Sequence, residues 1–284
     1  QVIDKETDPQ RTGIFTTGIV GQDTEHSTVL LFTGRLHAGE NLGRVLDRRQ
    51  EERPTPMQMC DGLDRNLPQD HATVRCGCNA HARRRFVELR THCPAECQRV
   101  LEAYSHIYRI DAQAKAEGLT PEQRLAWHQT HSQPVMDDLH AWMTDLIENK
   151  RVEPNSALGE AIDYARKQWP RLTAFLSVPG APLDNNAAER ILKTAILHRK
   201  NSLFYRNENG AGVGDLFMSL IQTCKLNRVN PFDYLLALAT HAEAVASAPA
   251  DWLPWNYHPP PSPPSPPSSP SPTPTVAAAV SAAV

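Results

Sequence analysis

One carboxylate lies among amides and cations in the stretch LDNNAAER, which ends at Arg190. Asp184 follows Gly-Ala-Pro, so it can cap a helix by accepting a backbone N–H bond. Glu189 then falls beside an apolar stripe at helical spacing, made of Ala188, Ile191, Leu192, Ala195 and Ile196. A carboxylate held at the edge of a core suits metal binding. The pattern alone favours an ordinary amphipathic helix in which Glu189 pairs with Lys193, four residues on.

A second acid follows a short predicted strand at Met57–Cys60. Asp61 precedes a glycine, so its side chain can face the open edge of a sheet. An aspartate before glycine often only makes a turn, and Asp64 competes for the same assignment. Cleavage of a phosphodiester with two divalent metals needs carboxylates from separate elements, and Mg²⁺ prefers such oxygen ligands. Asp61 and Glu189 are therefore the candidate metal ligands.

Basic residues form two local groups, although the formal net charge of the chain is −3. One group is Arg83, Arg84 and Arg85; the other surrounds Glu189 and contains Arg190, Lys193, His198, Arg199, Lys200 and Arg206. Such groups neutralise phosphates whatever the base sequence, but they also occur on ordinary solvated helix faces. We predict DNA contacts here, with Lys200 and Arg199 favoured, and Asn185 and Asn186 orienting Glu189 or a phosphate.

The chain has six cysteines. Four of them could be imagined as zinc ligands with the nearby His81 and His92, namely Cys76, Cys78, Cys93 and Cys97. Their spacings are not those of a zinc finger or ribbon, so no zinc is expected. Reduced, mostly buried thiols in a cytoplasmic protein are the favoured interpretation.

The order of the predicted elements indicates an α/β fold, with a mixed sheet flanked by helices and a large all-helical insertion. Two hairpin strands over 13–22 and 27–34 precede a short helix, two strands (57–60 and 72–78) and a helix over 80–90. The signal is then helical over 94–176. The Glu189 helix follows, then a helix over about 213–226 and a last one that Asn230 caps.

We expect four parts: residues 1–92 as the first part of the core, 93–178 as the helical insertion, 179–257 as the completion of the core, and 258–284 as a disordered Pro/Ser-rich tail. No apolar run reaches the roughly 18 residues of a membrane span. The polar stretch 1–11 does not resemble a signal peptide. We therefore expect no membrane partner.

Several separated motifs, in order, resemble the transposases of bacterial insertion-sequence family sixty-six. They are the segments 13–20, 80–86, 184–206, 214–221, 230–234 and 253–257. The resemblance implies a ribonuclease H-like fold in which three acids converge on Mg²⁺, with Mn²⁺ as a substitute. Asp61 matches the second acid of the family and Glu189 matches the third. It also implies DNA partners (transposon ends and target) and a homo-oligomer in the active complex.

The first acid of such transposases lies in an Asp-Asp-Thr segment on the first strand, which this sequence lacks. Asp4 and Asp8 are not convincing replacements. We therefore expect a truncated, inactive copy of a DDE-type catalytic domain, the kind that cleaves DNA and transfers DNA strands. The first β-strand of that domain would be missing. One alternative is a non-catalytic DNA-binding or oligomerisation remnant of a transposase. Another is a zinc-bound helical module that uses the four cysteines named above.

Overall fold

A computed structural model describes residues 14–23, 25–50, 52–201 and 205–257 of the chain. The expectations for Asp4, Asp8 and the tail over 258–284 lie outside these residues. The chain divides into two compact units, Gln1–Thr223 and Cys224–Val284. Within the described ranges, no helix is both long and apolar enough to cross a bilayer.

The elements of the described ranges are mostly helices, with four short strands. The strands are β1 (Phe15–Gln22), β2 (Ser27–Gly34), β3 (Met57–Cys60) and β4 (Val74–Gly77). The helices are α1 (Ala38–Leu46), α2 (Asn79–Leu89), α3 (Pro94–Ala116), α4 (Pro121–His131), α5 (Gln133–Glu148), α6 (Ala157–Lys167), α7 (Trp169–Leu172), α8 (Asn186–Asn201), α9 (Glu208–Leu226), α10 (Pro231–Thr240) and α11 (Ala242–Ser247). Single 3-10 turns lie at Asp64–Asn66, Ala174–Leu176 and Pro249–Trp252.

Strands β1 and β2 form the predicted antiparallel hairpin, with Phe15 opposite Gly34 and Gln22 opposite Ser27. The second edge of β2 is bonded by side chains of α9 rather than by another strand. The amide of Val29 donates to Thr223 Oγ1 (3.0 Å), and that of Leu31 donates to Ser219 Oγ (2.9 Å).

Asp215 extends this row of contacts by one more helical turn. Its carboxylate accepts the amide of Thr33, and the Thr33 hydroxyl donates to the same carboxylate over 2.9 Å. Asp215, Ser219 and Thr223 are spaced at i, i+4 and i+8, so they share one face of α9. The strand amides at this edge are thereby satisfied without a strand partner.

The second pair, β3 and β4, is parallel, with Met57 opposite Val74 and Cys60 opposite Gly77. The predicted single mixed sheet is therefore wrong for the described residues, which form two separate two-stranded sheets. One physical reason is that α9 already bonds the free edge of β2. The structure confirms the coarser prediction of an α/β chain, and most of its described elements are helices.

Two element boundaries also differ from those predicted. The strand expected over 72–78 is shorter, because Cys78 is already the N-cap of α2. The helix expected from residue 213 begins at Glu208, although several glycines near its start have low helix propensity. Asn207 Oδ1 accepts the amide of Gly210 over 2.8 Å, and this bond supports the earlier start.

The helical run predicted over 94–176 is confirmed as α3 to α7. These helices share the largest core of the chain with α2 and β4, and their largest fully buried side chains include Phe86, Tyr104, Ile107, Met136, Leu139, Met143 and Ile162. The core holds β4 and the start of α2 in a fixed place. That placement matters because two potential ligands lie at this junction.

A buried carboxylate joins α3 to α4 at the edge of this core. Asp111 is only 4% exposed and accepts hydrogen bonds from Arg124 Nε (2.8 Å) and His128 Nε2 (3.2 Å). Lys115 Nζ lies 2.7 Å from its other oxygen. Burial raises the pKa of Asp111, but His128, Lys115 and Arg124 outweigh it and hold the pKa well below its ordinary value of 3.8.

We predict that Asp111→Asn destabilises the protein by about 3 kcal/mol at neutral pH, since it removes one partner of a buried ionic cluster. The depressed pKa of Asp111 means that the carboxylate stabilises the fold above pH 3.8. This contribution is lost as the pH falls from there through the folded-state pKa. Urea unfolding at several pH values measures both effects, and the acid decline should be shallower in the variant.

The matched control is Asp163→Asn, which removes the exposed i,i+4 pair with Lys167 (2.7 Å). An exposed helical pair of this kind contributes only about 0.3–0.5 kcal/mol. Equal losses of stability in the two variants would contradict the role assigned to Asp111.

Candidate functional site

The carboxyl ends of β3 and β4 bring two functional side chains to one edge of the parallel pair. Asp61 follows β3 and Cys78 follows β4, and the amide of Cys78 donates to the carbonyl oxygen of Cys60 over 3.2 Å. Neighbouring parallel strands lie about 4.8 Å apart. Asp61 and Cys78 therefore leave the sheet side by side.

Hydrogen bonds from a buried asparagine connect this edge to the segment that leads into α8. Asn79 is fully buried, and its amide N–H donates to the Leu183 carbonyl over 3.0 Å. Its side-chain Nδ2 donates to the carbonyls of Leu172 (3.0 Å) and Leu183 (3.1 Å). Three chain segments that are distant in sequence therefore meet at one side chain.

Asp184 caps the start of α8, as predicted. Its Oδ1 accepts the amide of Asn186 over 3.0 Å, while its Oδ2 accepts Asn186 Nδ2 and the Tyr108 hydroxyl, both at 2.8 Å. Burial and the bond to Asp184 raise the pKa of Tyr108. Asn186 thus supports the helix start. Asn185 Oδ1 instead accepts the thiol of Cys78 over 3.0 Å.

Cys78, His81 and Glu189 form a compact group of three different ligand types. One donor atom from each lies within 4.8 Å of the other two. His81 Nε2 lies 3.4 Å from Glu189 Oε1, so the ion-pair partner of this glutamate is His81 rather than Lys193. Cys78 is 2% exposed, whereas the side chains of His81 and Glu189 are 26% and 22% exposed, so solvent reaches one side of the group.

Two polar atoms in this group are buried and have no hydrogen-bond partner among the described residues: Glu189 Oε1 and His81 Nδ1. Buried polar atoms in folded proteins are nearly always bonded, so each exception calls for an explanation. A ligand that accepts electron pairs from the glutamate is one such explanation.

Asp61 lies outside this group, because its carboxylate is not among the mutually close donor atoms. It accepts a hydrogen bond from Asn66 Nδ2. It also lines a small pocket with polar side chains that the sequence did not single out, namely Arg75, Tyr164, Gln168 and Arg171. The negative charge of Asp61 adds to burial in raising the pKa of the neighbouring Cys60 to about 11.

The predicted DNA-contacting residues are on the surface, with one exception. The exposed ones are Arg83, Arg84, Arg190, Lys193 and Lys200. Arg199 is half-buried and donates to Thr16 Oγ1 over 2.7 Å, so it joins α8 to β1. Arg85 stacks on the ring of Tyr164, 3.9 Å from its centroid.

The zinc alternative based on four cysteines is wrong for the described residues. Cys76, Cys93 and Cys97 do not join Cys78 in a group of close donor atoms. Cys97 is fully buried and belongs to the helical core, while Cys76 belongs to β4. The sequence suggested His81 only as a zinc ligand beside the four cysteines, and gave no sign that it lies next to Glu189. The available signal was the Cys-x-x-His spacing across a strand-to-helix junction.

A second constellation has the residue types of a hydrolase triad. His128 Nδ1 lies 2.9 Å from Ser132 Oγ, and His128 Nε2 lies 3.2 Å from Asp111 Oδ1. Ser132 is 0% exposed and His128 is 1% exposed, so no substrate can reach the hydroxyl. These residues therefore serve the packing of α3, α4 and α5.

We predict that Asn79→Asp destabilises the protein by more than about 2 kcal/mol, because a buried carboxylate would face two carbonyl oxygens and lose two donors. Thermal unfolding measures the loss of stability. The exposed Asn155→Asp is the control and should leave the melting temperature nearly unchanged. Similar melting temperatures for both variants would show that Asn79 does not fasten the three segments together.

The model of the family described as "Transposase IS66 family" matches residues 1–212. Three curated relatives are uncharacterised proteins of Sinorhizobium fredii (strain NBRC 101917 / NGR234). The protein y4hP is 34% identical over 199 residues, which is 63% of this chain and 34% of y4hP.

The protein y4jD is 33% identical over 185 residues (63% of this chain, 35% of the relative), and y4qI is 31% identical over 189 residues (64% and 34%). The matched part thus spans about a third of the length of these relatives. No solved structure matches the chain. Since the family model covers residues 1–212 of 284, the chain belongs to the IS66 family of transposases.

Proposed function

We propose that this chain is part of a DDE-type transposase catalytic domain, in which Asp61 and Glu189 are two of the carboxylates that hold divalent metal for DNA cleavage and strand transfer. The observation that supports this most directly is the Oε1 atom of Glu189, which is buried without a hydrogen-bond partner among the described residues. It lies on the helix start that Asn79 fastens to the carboxyl ends of β3 and β4.

The order of elements supports a ribonuclease H-like arrangement for this domain, although the two strand pairs do not join in one sheet. A hairpin (β1 and β2) precedes a helix, a parallel strand pair and a second helix, and the acid-bearing α8 follows the helical run. Asp61 comes at the end of a strand and Glu189 in the first turn of a late helix. These are the positions that the family resemblance gives to its second and third acids.

Asp61 and Glu189 supply the oxygen ligands that Mg²⁺ prefers, and this ion keeps several waters. Bound metal of this kind activates the attacking water or hydroxyl and stabilises the leaving oxygen. Arg75 and Arg171, which line the same pocket as Asp61, would bind the scissile phosphate. Arg190, Lys193 and Lys200 would bind flanking phosphates of transposon or target DNA.

Two carboxylates are fewer than the three that the family resemblance implies. Mg²⁺ demands near-ideal octahedral geometry, so an incomplete ligand set weakens its binding. We therefore propose that the chain alone is inactive with Mg²⁺, as expected from the sequence. We depart from the expectation of a fully inactive copy in one respect, a weak cleavage with Mn²⁺, the substitute ion that the family resemblance implies. A third carboxylate and a homo-oligomeric assembly would complete the site in an intact transposase.

A non-catalytic DNA-binding role is the second candidate, and one observation favours it. The donor atoms that lie close to Glu189 belong to Cys78 and His81, and not to a second carboxylate. Under this alternative the exposed basic residues bind DNA, and Glu189 has no part in cleavage.

Nicking of supercoiled plasmid by the purified chain distinguishes the two candidates. We predict slow nicking in Mn²⁺, none in Mg²⁺, and a loss of at least about 100-fold in Asp61→Asn and in Glu189→Gln, since removal of a metal ligand removes the metal-dependent chemistry. The exposed Glu88→Gln on α2 is the control and should nick like the wild type.

DNA binding measured by fluorescence anisotropy completes the test. All three variants should keep the wild-type affinity, which should fall with rising salt. A chain that binds DNA but never nicks it in Mn²⁺ would favour the non-catalytic alternative.

A further inference from the structure

Three donors of different chemistry meet where α2 and α8 begin. They are a thiol (Cys78), an imidazole (His81) and a carboxylate (Glu189), with one donor atom from each within 4.8 Å of the others. Donor atoms around a tetrahedral zinc lie about 3.3–3.8 Å apart, given bond lengths of about 2.0–2.3 Å. The distance of 3.4 Å between His81 Nε2 and Glu189 Oε1 already meets this requirement.

The backbone supports the arrangement on both sides. Cys78 is the N-cap of α2 and His81 lies in its first turn, so their side chains fall on the same end of the helix. Glu189 lies in the first turn of α8. The positive end of each helix dipole favours negative charge at these positions, although burial raises the pKa of the Cys78 thiol. The bonds of Asn79 to Leu183 hold the two helix starts together.

The polar atoms of the group are incompletely satisfied. Glu189 Oε1 and His81 Nδ1 are buried and unbonded within the described part of the chain. His81 Nε2 approaches Glu189 Oε1 to 3.4 Å without making a hydrogen bond, so this contact satisfies the oxygen only in part and leaves His81 Nδ1 without a partner, which destabilises the fold. A metal ion bonded to the glutamate oxygen removes part of that cost.

We propose that Cys78, His81 and Glu189 bind Zn²⁺. The donor set selects this metal, because thiolate and imidazole suit Zn²⁺ whereas Mg²⁺ and Ca²⁺ prefer oxygen alone. Three protein ligands leave the fourth tetrahedral position to a water molecule, which the solvent-exposed side of the group can supply.

Binding changes the proton content of the site. The Cys78 thiol now donates to Asn185 Oδ1 over 3.0 Å. Zinc takes the thiolate, so the thiol proton is released to solvent. A half-turn of the Asn185 amide then presents an N–H donor to the sulfur in place of the oxygen acceptor. Asn185 is therefore a supporting residue for the thiolate ligand.

The proposed site shares Glu189 with the proposed Mg²⁺ site. A zinc ion bound to this carboxylate removes it from the set needed for cleavage, so Zn²⁺ should inhibit any Mn²⁺-dependent nicking. This consequence rests on the proposed function, whereas zinc binding itself does not.

Metal titration of the full chain, purified without metal, tests the proposal. Co²⁺ is the spectroscopic probe and should give a thiolate charge-transfer band, which one equivalent of Zn²⁺ abolishes. Cys78→Ser should lose this band. We expect Cys78→Ser and His81→Ala each to weaken Zn²⁺ binding by more than about 100-fold, since loss of an outer-shell partner alone costs 10–100-fold.

Matched control variants distinguish the proposed ligands from cysteine and histidine residues that do not bind the metal. Cys93→Ser and His92→Ala change the same residue types away from the group and should bind Zn²⁺ like the wild type. Circular dichroism without metal verifies that the variants fold. His81→Ala alters a partly exposed side chain, so it tests the site even if Cys78→Ser unfolds the protein.

Wild-type affinity in Cys78→Ser or His81→Ala, or a Co²⁺ complex without the thiolate band, would overturn the proposal. Asp61→Asn separates the two metal sites, because it should abolish nicking and leave Zn²⁺ binding intact. Loss of zinc binding in Asp61→Asn would show that the ligand set is wrong. If the chain binds zinc but does not nick DNA, this inference stands and the proposed function is wrong.

Discussion

The buried side chain of Asn79 is the constraint on which the candidate site depends. Its hydrogen bonds join the junction of β4 and α2 to Leu172 at the end of α7 and to Leu183 before α8. Together with the bond from Cys78 to Asn185, they hold Cys78 and His81 close to Glu189. Because the residue is fully buried, water cannot replace these bonds when the side chain changes. The chemistry at this edge therefore depends on a residue that takes no part in it.

A second constraint within the unit Gln1–Thr223 has the same physical character. There the polar face of α9 bonds the amides of β2 through Asp215, Ser219 and Thr223. A helix side chain thus does what a neighbouring strand does in a larger sheet. Burial raises the pKa of Asp215, although its bonds from Thr33 lower it, so the carboxylate is costly to bury and is kept by those bonds.

Local signals predicted more than long-range ones did. The hairpin, the strand Met57–Cys60, the helical run and the cap at Asp184 all follow from residues close in sequence, and the structure confirms them. The division of the strands into two sheets could not be predicted from the sequence. The reason is that Asp215, Ser219 and Thr223, spaced at i, i+4 and i+8, look like an ordinary solvated helix face. The meeting of Cys78 with Asn185, 107 residues apart, depends on tertiary packing that no local pattern encodes.

The position of Glu189 creates a conflict between two kinds of metal chemistry. A carboxylate next to another carboxylate favours hard ions, whereas one beside a thiol and an imidazole favours zinc. Asp61 follows the end of the neighbouring strand, while one donor atom each from Cys78 and His81 already lies within 4.8 Å of a donor atom of the glutamate. The preference of the site is therefore set by which side chains Glu189 can reach. A further carboxylate near Asp61 would shift it toward Mg²⁺, and its absence would leave the softer donors dominant.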